Sequence, residues 1–256
     1  MTSHPSLPER QRVERQVIII ADLAARLDKA LYSTDLSAAA LQNGCREATR
    51  QGVAGVLVRP DQLEVASAAV EGSGVGVVTA LGWYQRDTDR LDGDTMQADA
   101  QDFVRRGATE VAYVITKARL EHRGGQEVVD QVRRLVETVV APLGARVRTL
   151  IATEELTDEE IRRTCQEMAA AGVWMVQGGS WRGRRTGLSQ VEVIRASVPA
   201  EVLVKWTEPI RSLSTVLLCM SMGVDRFNCD VDQILGDAKR AEWLAPLTIP
   251  VAGVDY

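Results

Sequence analysis

The sequence predicts an α/β fold of the (β/α)8 TIM-barrel class, and three observations point to it. Short β-branched runs alternate with longer amphipathic stretches, the pattern of parallel strands joined by helices. The 256 residues suit one barrel, a fold of roughly 250 residues. No Gly-x-Gly-x-x-Gly follows the first apolar run, which counts against a dinucleotide-binding, doubly wound sheet.

The elements follow in order. Residues 1–12 are polar, hold Pro5 and Pro8, and lack the apolar stretch and cleavage site of a secretory signal; they read as a flexible tail ahead of a single barrel domain over 13–256. Val17 to Ala25 reads as an extra helix over the barrel bottom, with a first strand near Leu27 to Leu31. Further strands are expected at Val53–Val58, Gly74–Leu81, Glu110–Ile115, Arg146–Ala152, Val173–Val176, Val202–Val204 and Val224–Phe227. Helical patterns run over Thr95–Arg106, Gln126–Val140 and Asp158–Ala171. Thr157 stands three residues before Glu160, the spacing of a capping box.

Composition excludes several classes. A formal charge of -5 argues against a duplex nucleic-acid binder, which would show a basic face. No run approaches the roughly 18 apolar residues of a membrane span. Cys45, Cys165, Cys219 and Cys229 form no Cys-x-x-Cys pair, so they read as reduced thiols in a cytoplasmic protein. His4 and His122 are the only histidines, which argues against a His-rich metal site and a Ser-His-Asp triad. No metal and no cofactor are expected.

In such a barrel the chemistry sits at the C-terminal ends of the strands. The positions to inspect are therefore Asp28, Arg59, Trp83, Thr116, Lys117, Thr153, Gln177, Ser180, Lys205, Glu208, Asn228 and Asp230. Side chains alternate along a strand, so Lys205 and Trp206 cannot both face the lumen.

Five segments of the chain resemble the deoxyribose-phosphate aldolases, a family of class I (Schiff-base) aldolases. They are Leu27-Asp28-Lys29-Ala30-Leu31, Gly107-Ala108-Thr109-Glu110-Val111, Leu156-Thr157-Asp158-Glu159-Glu160, Val204-Lys205 with Ile210-Arg211, and Gly223-Val224-Asp225-Arg226. Their order and spacing carry the resemblance from about Leu23 to Leu235. It implies a class I aldolase-like barrel and lyase chemistry.

The departures fall on the chemistry that the resemblance implies. The family's nucleophilic lysine lies in Val-Lys-Thr-Ser-Thr-Gly-Phe, where this chain reads Val176-Gln177-Gly178-Gly179-Ser180-Trp181-Arg182. An amide nitrogen has no available lone pair, so Gln177 cannot form an iminium. The family's proton-handling aspartate becomes Ala112. The glycine-rich phosphate nest becomes Glu208-Pro209 and Asn228-Cys229-Asp230-Val231. Proline removes a donor and the carboxylates repel a dianion, at a cost of about 1–4 kcal/mol per like-charge pair near 4 Å.

The family's second active-site lysine remains as Lys205, with three readings: an iminium nucleophile, a fixed cation that polarises a carbonyl, or a salt-bridged relic. If Glu208 is close, it favours the charged form. Glu208 and Asp230 are the candidates for proton transfer. Gln177, Ser180, Lys117, Asp28 and Asn228 are candidate substrate contacts; Arg182 and Arg211 are either anion contacts or partners of the carboxylates. Trp83, Tyr84 and Trp181 could wall an apolar pocket, or pack between helices and barrel.

These residues lead to a repurposed aldolase-like enzyme for a non-phosphorylated, small-molecule carbonyl substrate. Aldol or retro-aldol cleavage, dehydration and cyclisation all suit it. The Arg- and Ala-rich composition fits specialised biosynthesis in a GC-rich bacterium. The alternative is a non-catalytic pseudo-aldolase that binds a metabolite or partner. Homo-oligomer formation stays open.

Overall fold

The structure, a computed structural model of the 256-residue chain, describes residues 16–82, 92–180 and 186–251. Residues 1–12 therefore lie outside the described part. Eight parallel strands close into a barrel: β1 (Leu27–Ala30), β2 (Gly55–Leu57), β3 (Gly76–Ala80), β4 (Glu110–Ile115), β5 (Arg146–Ile151), β6 (Met175–Gly179), β7 (Leu203–Ile210) and β8 (Arg226–Cys229), with β8 pairing back onto β1. The principal helices are α1 (Ala38–Gln51), α2 (Leu63–Val70), α3 (Gly93–Arg105), α4 (Gly125–Leu135), α5 (Asp158–Ala170), α6 (Ser189–Ser197), α7 (Leu213–Ser221) and α8 (Val231–Leu244).

The period of two along each strand sorts side chains into two environments. Outward residues such as Val77, Tyr113, Val147, Val204, Trp206 and Phe227 join the helices in one large apolar core. Inward apolar residues form a separate small cluster of Ala80, Ala112, Val114 and Leu150. Trp206 thus faces the helices and Lys205 the lumen, the alternation expected from sequence.

Local sequence explains several boundaries. Strand β4 falls on the apolar run Glu110–Ile115, and α5 starts at a complete capping box in which Thr157 and Glu160 exchange side-chain-to-backbone bonds. The helix predicted to reach Val140 passes through one wide π-type turn over Val136–Val140. The extra helix before the barrel is shorter than expected, Ile20–Ala24, and packs on α8. The run before it is extended instead: Gln16–Val17 pairs antiparallel with Thr248–Ile249, and the Ile18 N–H donates to the Leu247 carbonyl at 3.1 Å. Successive β-branched residues favour that extended form.

Two strands run further than their apolar signal. Strand β6 covers Met175–Gly179 and β7 covers Leu203–Ile210, past the predicted ends at Val176 and Val204. Their later inward residues are polar (Gln177, Lys205, Thr207), so apolar pattern alone stops too soon. Lys205 is consequently the third residue of an eight-residue strand, well inside the barrel. Pro209 sits where the β7–β8 register shifts between Thr207 and Ile210, a position that asks no ladder hydrogen bond of it.

All four cysteines are free thiols. Among the described residues no helix is long and apolar enough to cross a membrane, and no group of three His, Cys, Asp or Glu is placed to hold a metal ion.

Candidate active site in the barrel lumen and mouth

Five charged side chains from five strands meet inside the barrel. Asp28 on β1 receives Lys205 Nζ from β7 and Arg226 from β8, with Nε at 2.8 Å and Nη2 at 2.6 Å. Arg148 on β5 places Nη1 3.2 Å from Asp28 and 3.3 Å from Glu110 on β4. Arg226 Nη1 closes the set on Glu110 at 2.7 Å. All five are buried, and Lys205 and Asp28 are wholly so.

The remaining strands make room for this cluster. Gly55 on β2 is in register with Asp28, and a Cβ there would lie 2.6 Å from Arg226 Nη2 and 3.1 Å from Asp28 Oδ1. Gly76 on β3 continues the gap, with Glu110 Oε1 at 3.5 Å from its would-be Cβ. Any larger residue at Gly55 would occupy the guanidinium's place.

The electrostatics follow from burial and from the count of charges. Burial pushes the Lys205 ammonium down from 10.5 to about 7; Arg148 and Arg226 add to the fall, and Asp28 opposes it. Burial alone would raise the Asp28 carboxyl, but Lys205, Arg226 and Arg148 together hold it well below the ordinary carboxylate range. Two guanidiniums face Asp28 directly, so it stays anionic whether or not Lys205 carries its proton.

At the C-terminal mouth, a cleft of about 430 Å³ opens between β7, β8 and β1. Its lining includes Ala30, Thr207 and Asn228, each two residues beyond a member of the cluster: Asp28, Lys205 and Arg226. Two residues of strand span roughly 7 Å, so the cleft lies one side-chain layer above the cluster. Gln177, in register with Lys205, donates from Nε2 to Thr207 Oγ1 at 2.6 Å. Gln177 Oε1 and Asn228 Oδ1 are buried without a hydrogen-bond partner among the described residues. A larger cleft, about 770 Å³, lies at the opposite end of the barrel and reaches Glu110 and Arg226 from below.

The sequence-derived site residues divide accordingly. Ser180, Glu208, Arg211, Asn228 and Asp230 line the mouth cleft. Asp28, expected to touch substrate, lies below the cleft as the counter-ion of Lys205. Lys117 lies outside the cleft, its backbone N–H donating to Glu155 Oε2 at 3.1 Å and its ammonium 3.7 Å from Glu160. Trp83, Tyr84, Trp181 and Arg182 fall outside the described residues.

The condition set for Glu208, closeness to Lys205, is not met: its oxygens accept from Thr186 N at 3.0 Å, Thr186 Oγ1 at 2.8 Å and Trp206 Nε1 at 3.3 Å, and Asp28 is the carboxylate that meets the lysine. The reason is strand parity: Trp206 and the bulge beyond it turn Glu208 off the Lys205 column. Asp230 caps α8, accepting from Gln233 N at 3.2 Å. Arg211, read as either an anion contact or a partner of the carboxylates, is exposed at the cleft and makes no ion pair among the described residues.

Sequence reasoning missed Arg148, and it read Glu110 and Arg226 only as parts of family-like segments. A signal was available: Arg148 interrupts the apolar run Val147–Ile151 at the same parity as Leu150. A charge in the inward column of a buried strand needs partners in the lumen.

The chain matches no family model. It is 26% identical over 223 residues to a deoxyribose-phosphate aldolase of Clostridium perfringens, covering 85% of this chain and 95% of that one. It is 31% identical over 186 residues to a deoxyribose-phosphate aldolase of Bacillus subtilis, covering 70% and 79% respectively. Among solved structures, the tetrameric deoxyribose phosphate aldolase from Aeropyrum pernix has a TM-score of 0.76 at 22% identity, covering 87% of this chain and 93% of that one. The aldolase QR15 has a TM-score of 0.76 at 21% identity, covering 87% and 98%. At these identities the structural likenesses speak to the fold.

Proposed function

Because the chain belongs to the deoxyribose-phosphate aldolase family, we propose that it is an aldolase-like lyase whose carbonyl substrate carries no phosphate. The observation that carries this reading is the mouth cleft one layer above the buried Lys205. Three carboxylates line it, Glu208, Asp230 and Asp232, against the two cations Lys29 and Arg211. Lys29 is already engaged by Asp232 at 2.6 Å. Pro209, on the same rim, offers no N–H. A phosphate dianion would meet net repulsion there, whereas a neutral hydroxy-carbonyl compound would meet hydrogen-bonding groups.

In this reading Gln177 and Ala112 stand at the family's lysine and aspartate positions, and the chemistry passes to Lys205. Its free amine adds to the carbonyl carbon; the oxygen takes up protons and leaves as water, and an iminium remains on Nζ. Gln177 Oε1 and Asn228 Oδ1, both lacking donors, accept from substrate hydroxyls. Ser180 helps to orient the substrate at the rim. Glu208 and Asp230 serve proton transfer at the mouth. The reaction is an aldol or retro-aldol step, or a dehydration or cyclisation through the same iminium, and it needs no cofactor. By analogy with the tetrameric Aeropyrum pernix relative, the working form is a homo-oligomer.

The test pairs two measurements. Unphosphorylated aldehydes and ketones are incubated with the protein and borohydride, and adducts are mapped by mass spectrometry; the expected adduct is on Lys205. Deoxyribose 5-phosphate is offered separately, with no acetaldehyde release expected. Release of acetaldehyde from that sugar overturns the exclusion of phosphate. Absence of any trapped carbonyl overturns the iminium step; turnover without an adduct leaves Lys205 as a fixed cation, and no turnover at all moves support to a binding protein without catalysis.

A further inference from the structure

The cluster around Lys205 is unbalanced by one charge. Three basic side chains, Lys205, Arg148 and Arg226, face two carboxylates, Asp28 and Glu110. Guanidinium keeps its proton throughout the accessible pH range. The set therefore carries one uncompensated positive charge when Lys205 is an ammonium, and none when it is a free amine. A net charge buried in a lumen is costly even with a cleft open beneath Glu110 and Arg226, and within the cluster the one group able to relieve it is the lysine.

We propose that Arg148 and Arg226 are positioning residues that hold Lys205 as a free amine near neutral pH, by making the five-residue cluster electrically neutral only when that lysine has lost its proton. The catalytic consequence rests on the lyase reading above, since only a carbonyl substrate would exploit a free amine. The protonation state itself does not depend on that reading.

The geometry leaves little else to set it. The groups around Lys205 are Asp28 from β1, Arg148 from β5, the neutral amide Gln177 from β6, Arg226 from β8 and the Cys229 thiol at the end of β8, which burial holds protonated by pushing its pKa up to about 12; Glu110 from β4 joins through the two arginines, while β2 and β3 contribute Gly55 and Gly76. Asp28 is shared by three cations, which repel one another across it and so offset its attraction for the ammonium. Each arginine also reaches Glu110, which fixes both guanidiniums in the lumen: Arg226 Nη1 at 2.7 Å and Arg148 Nη1 at 3.3 Å. The lowered lysine pKa, with its contributions from both arginines, agrees with the count.

The chain has four lysines, Lys29, Lys117, Lys205 and Lys239, so the proposal can be read on the full protein by NMR. With lysine labelled with carbon-13 at Cε, the Lys205 signal is the one lost in Lys205→Met. In the unaltered protein its titration midpoint is expected near 7. Arg148→Met leaves two cations facing two carboxylates with the ammonium in place, so the midpoint should rise by about one pH unit or more. Arg148→Lys should return only part of the shift, because its ammonium, unlike a guanidinium, can release the excess proton in place of Lys205. Glu110→Gln removes a carboxylate and should lower the midpoint, which keeps the test decisive if Arg148→Met does not fold. A midpoint that stays put in both Arg148→Met and Glu110→Gln would mean burial alone sets it, and overturns the proposal. So would a midpoint near 10 in the unaltered protein. Midpoints that move as stated while no carbonyl is trapped on Lys205 support the cluster and sink the iminium step of the lyase reading.

Discussion

Replacing Lys205 by methionine separates a tuned amine from an ordinary buried salt bridge, because the two give opposite changes in stability. Where a lysine is a structural ion-pair partner, its removal strands a buried carboxylate and costs about 3–5 kcal/mol. Here Asp28 would keep Arg226 at 2.6 and 2.8 Å and Arg148 at 3.2 Å. A methionine side chain also fills most of the space. The pH dependence follows from the fall of the Lys205 pKa from 10.5 to about 7 on folding. Between those values the unfolded chain holds a proton that the folded chain has released, so stability rises with pH by about 1.4 kcal/mol per pH unit. Below about 7 the lysine is charged in both states and the fold bears the full penalty; above 10.5 it is neutral in both and the penalty is gone. Lys205→Met should therefore be more stable than the unaltered protein at pH 6, by on the order of 2–4 kcal/mol. That advantage should shrink steadily from pH 7 to pH 9. Urea unfolding of both proteins across this range measures it, and the difference between them cancels the buried thiols Cys45 and Cys165, whose pKa values burial pushes up to about 11 and about 12. A variant less stable by about 3 kcal/mol at every pH would refute the reasoning and make Lys205 a structural salt bridge.

Other outcomes follow from the same structure. Asp28→Asn should cost about 3–5 kcal/mol at pH 7, since Arg226 and Arg148 lose their shared carboxylate. Because the folded Asp28 pKa is depressed, its contribution is present above the ordinary value of 3.8 and lost as pH falls through the folded value; the gap between Asp28→Asn and the unaltered protein should close in acid, as read by chemical denaturation. Gly55→Ala puts a Cβ 2.6 Å from Arg226 Nη2 and should lower stability by about 1–3 kcal/mol through overpacking, with the Lys205 midpoint shifting as Arg226 moves. Asp230→Ala removes the α8 cap bond at 3.2 Å and should cost about 1 kcal/mol. Loss of turnover beyond that stability change would support its place in proton transfer, and unchanged turnover would limit it to capping.

What the sequence determined by itself was whatever is encoded locally or by period. The apolar run Glu110–Ile115 and the Thr157–Glu160 capping box carry their own structural instructions, and both formed where read. Parity along Val204-Lys205-Trp206 was enough to send lysine and tryptophan to opposite faces of the strand. The family resemblance could also be read from five short segments, because four mark a strand or its end and the fifth, Leu156–Glu160, starts α5. Tertiary structure alone decided which charges meet. Asp28 and Arg226 are 198 residues apart and Arg148 stands 120 residues from Asp28, so no local pattern pairs them. Closure of the barrel brings β1, β4, β5, β7 and β8 around one axis, and two glycines leave the space between them. It also turned Glu208 away from Lys205 and put Asp28 beside it, and it enclosed Arg148 and Arg226 with them, so that burial and two guanidiniums outweigh the carboxylate's pull toward the charged form. A linear reading shows that a lysine faces inward; its protonation depends on the number of charges enclosed with it, and that number exists only once the barrel has closed.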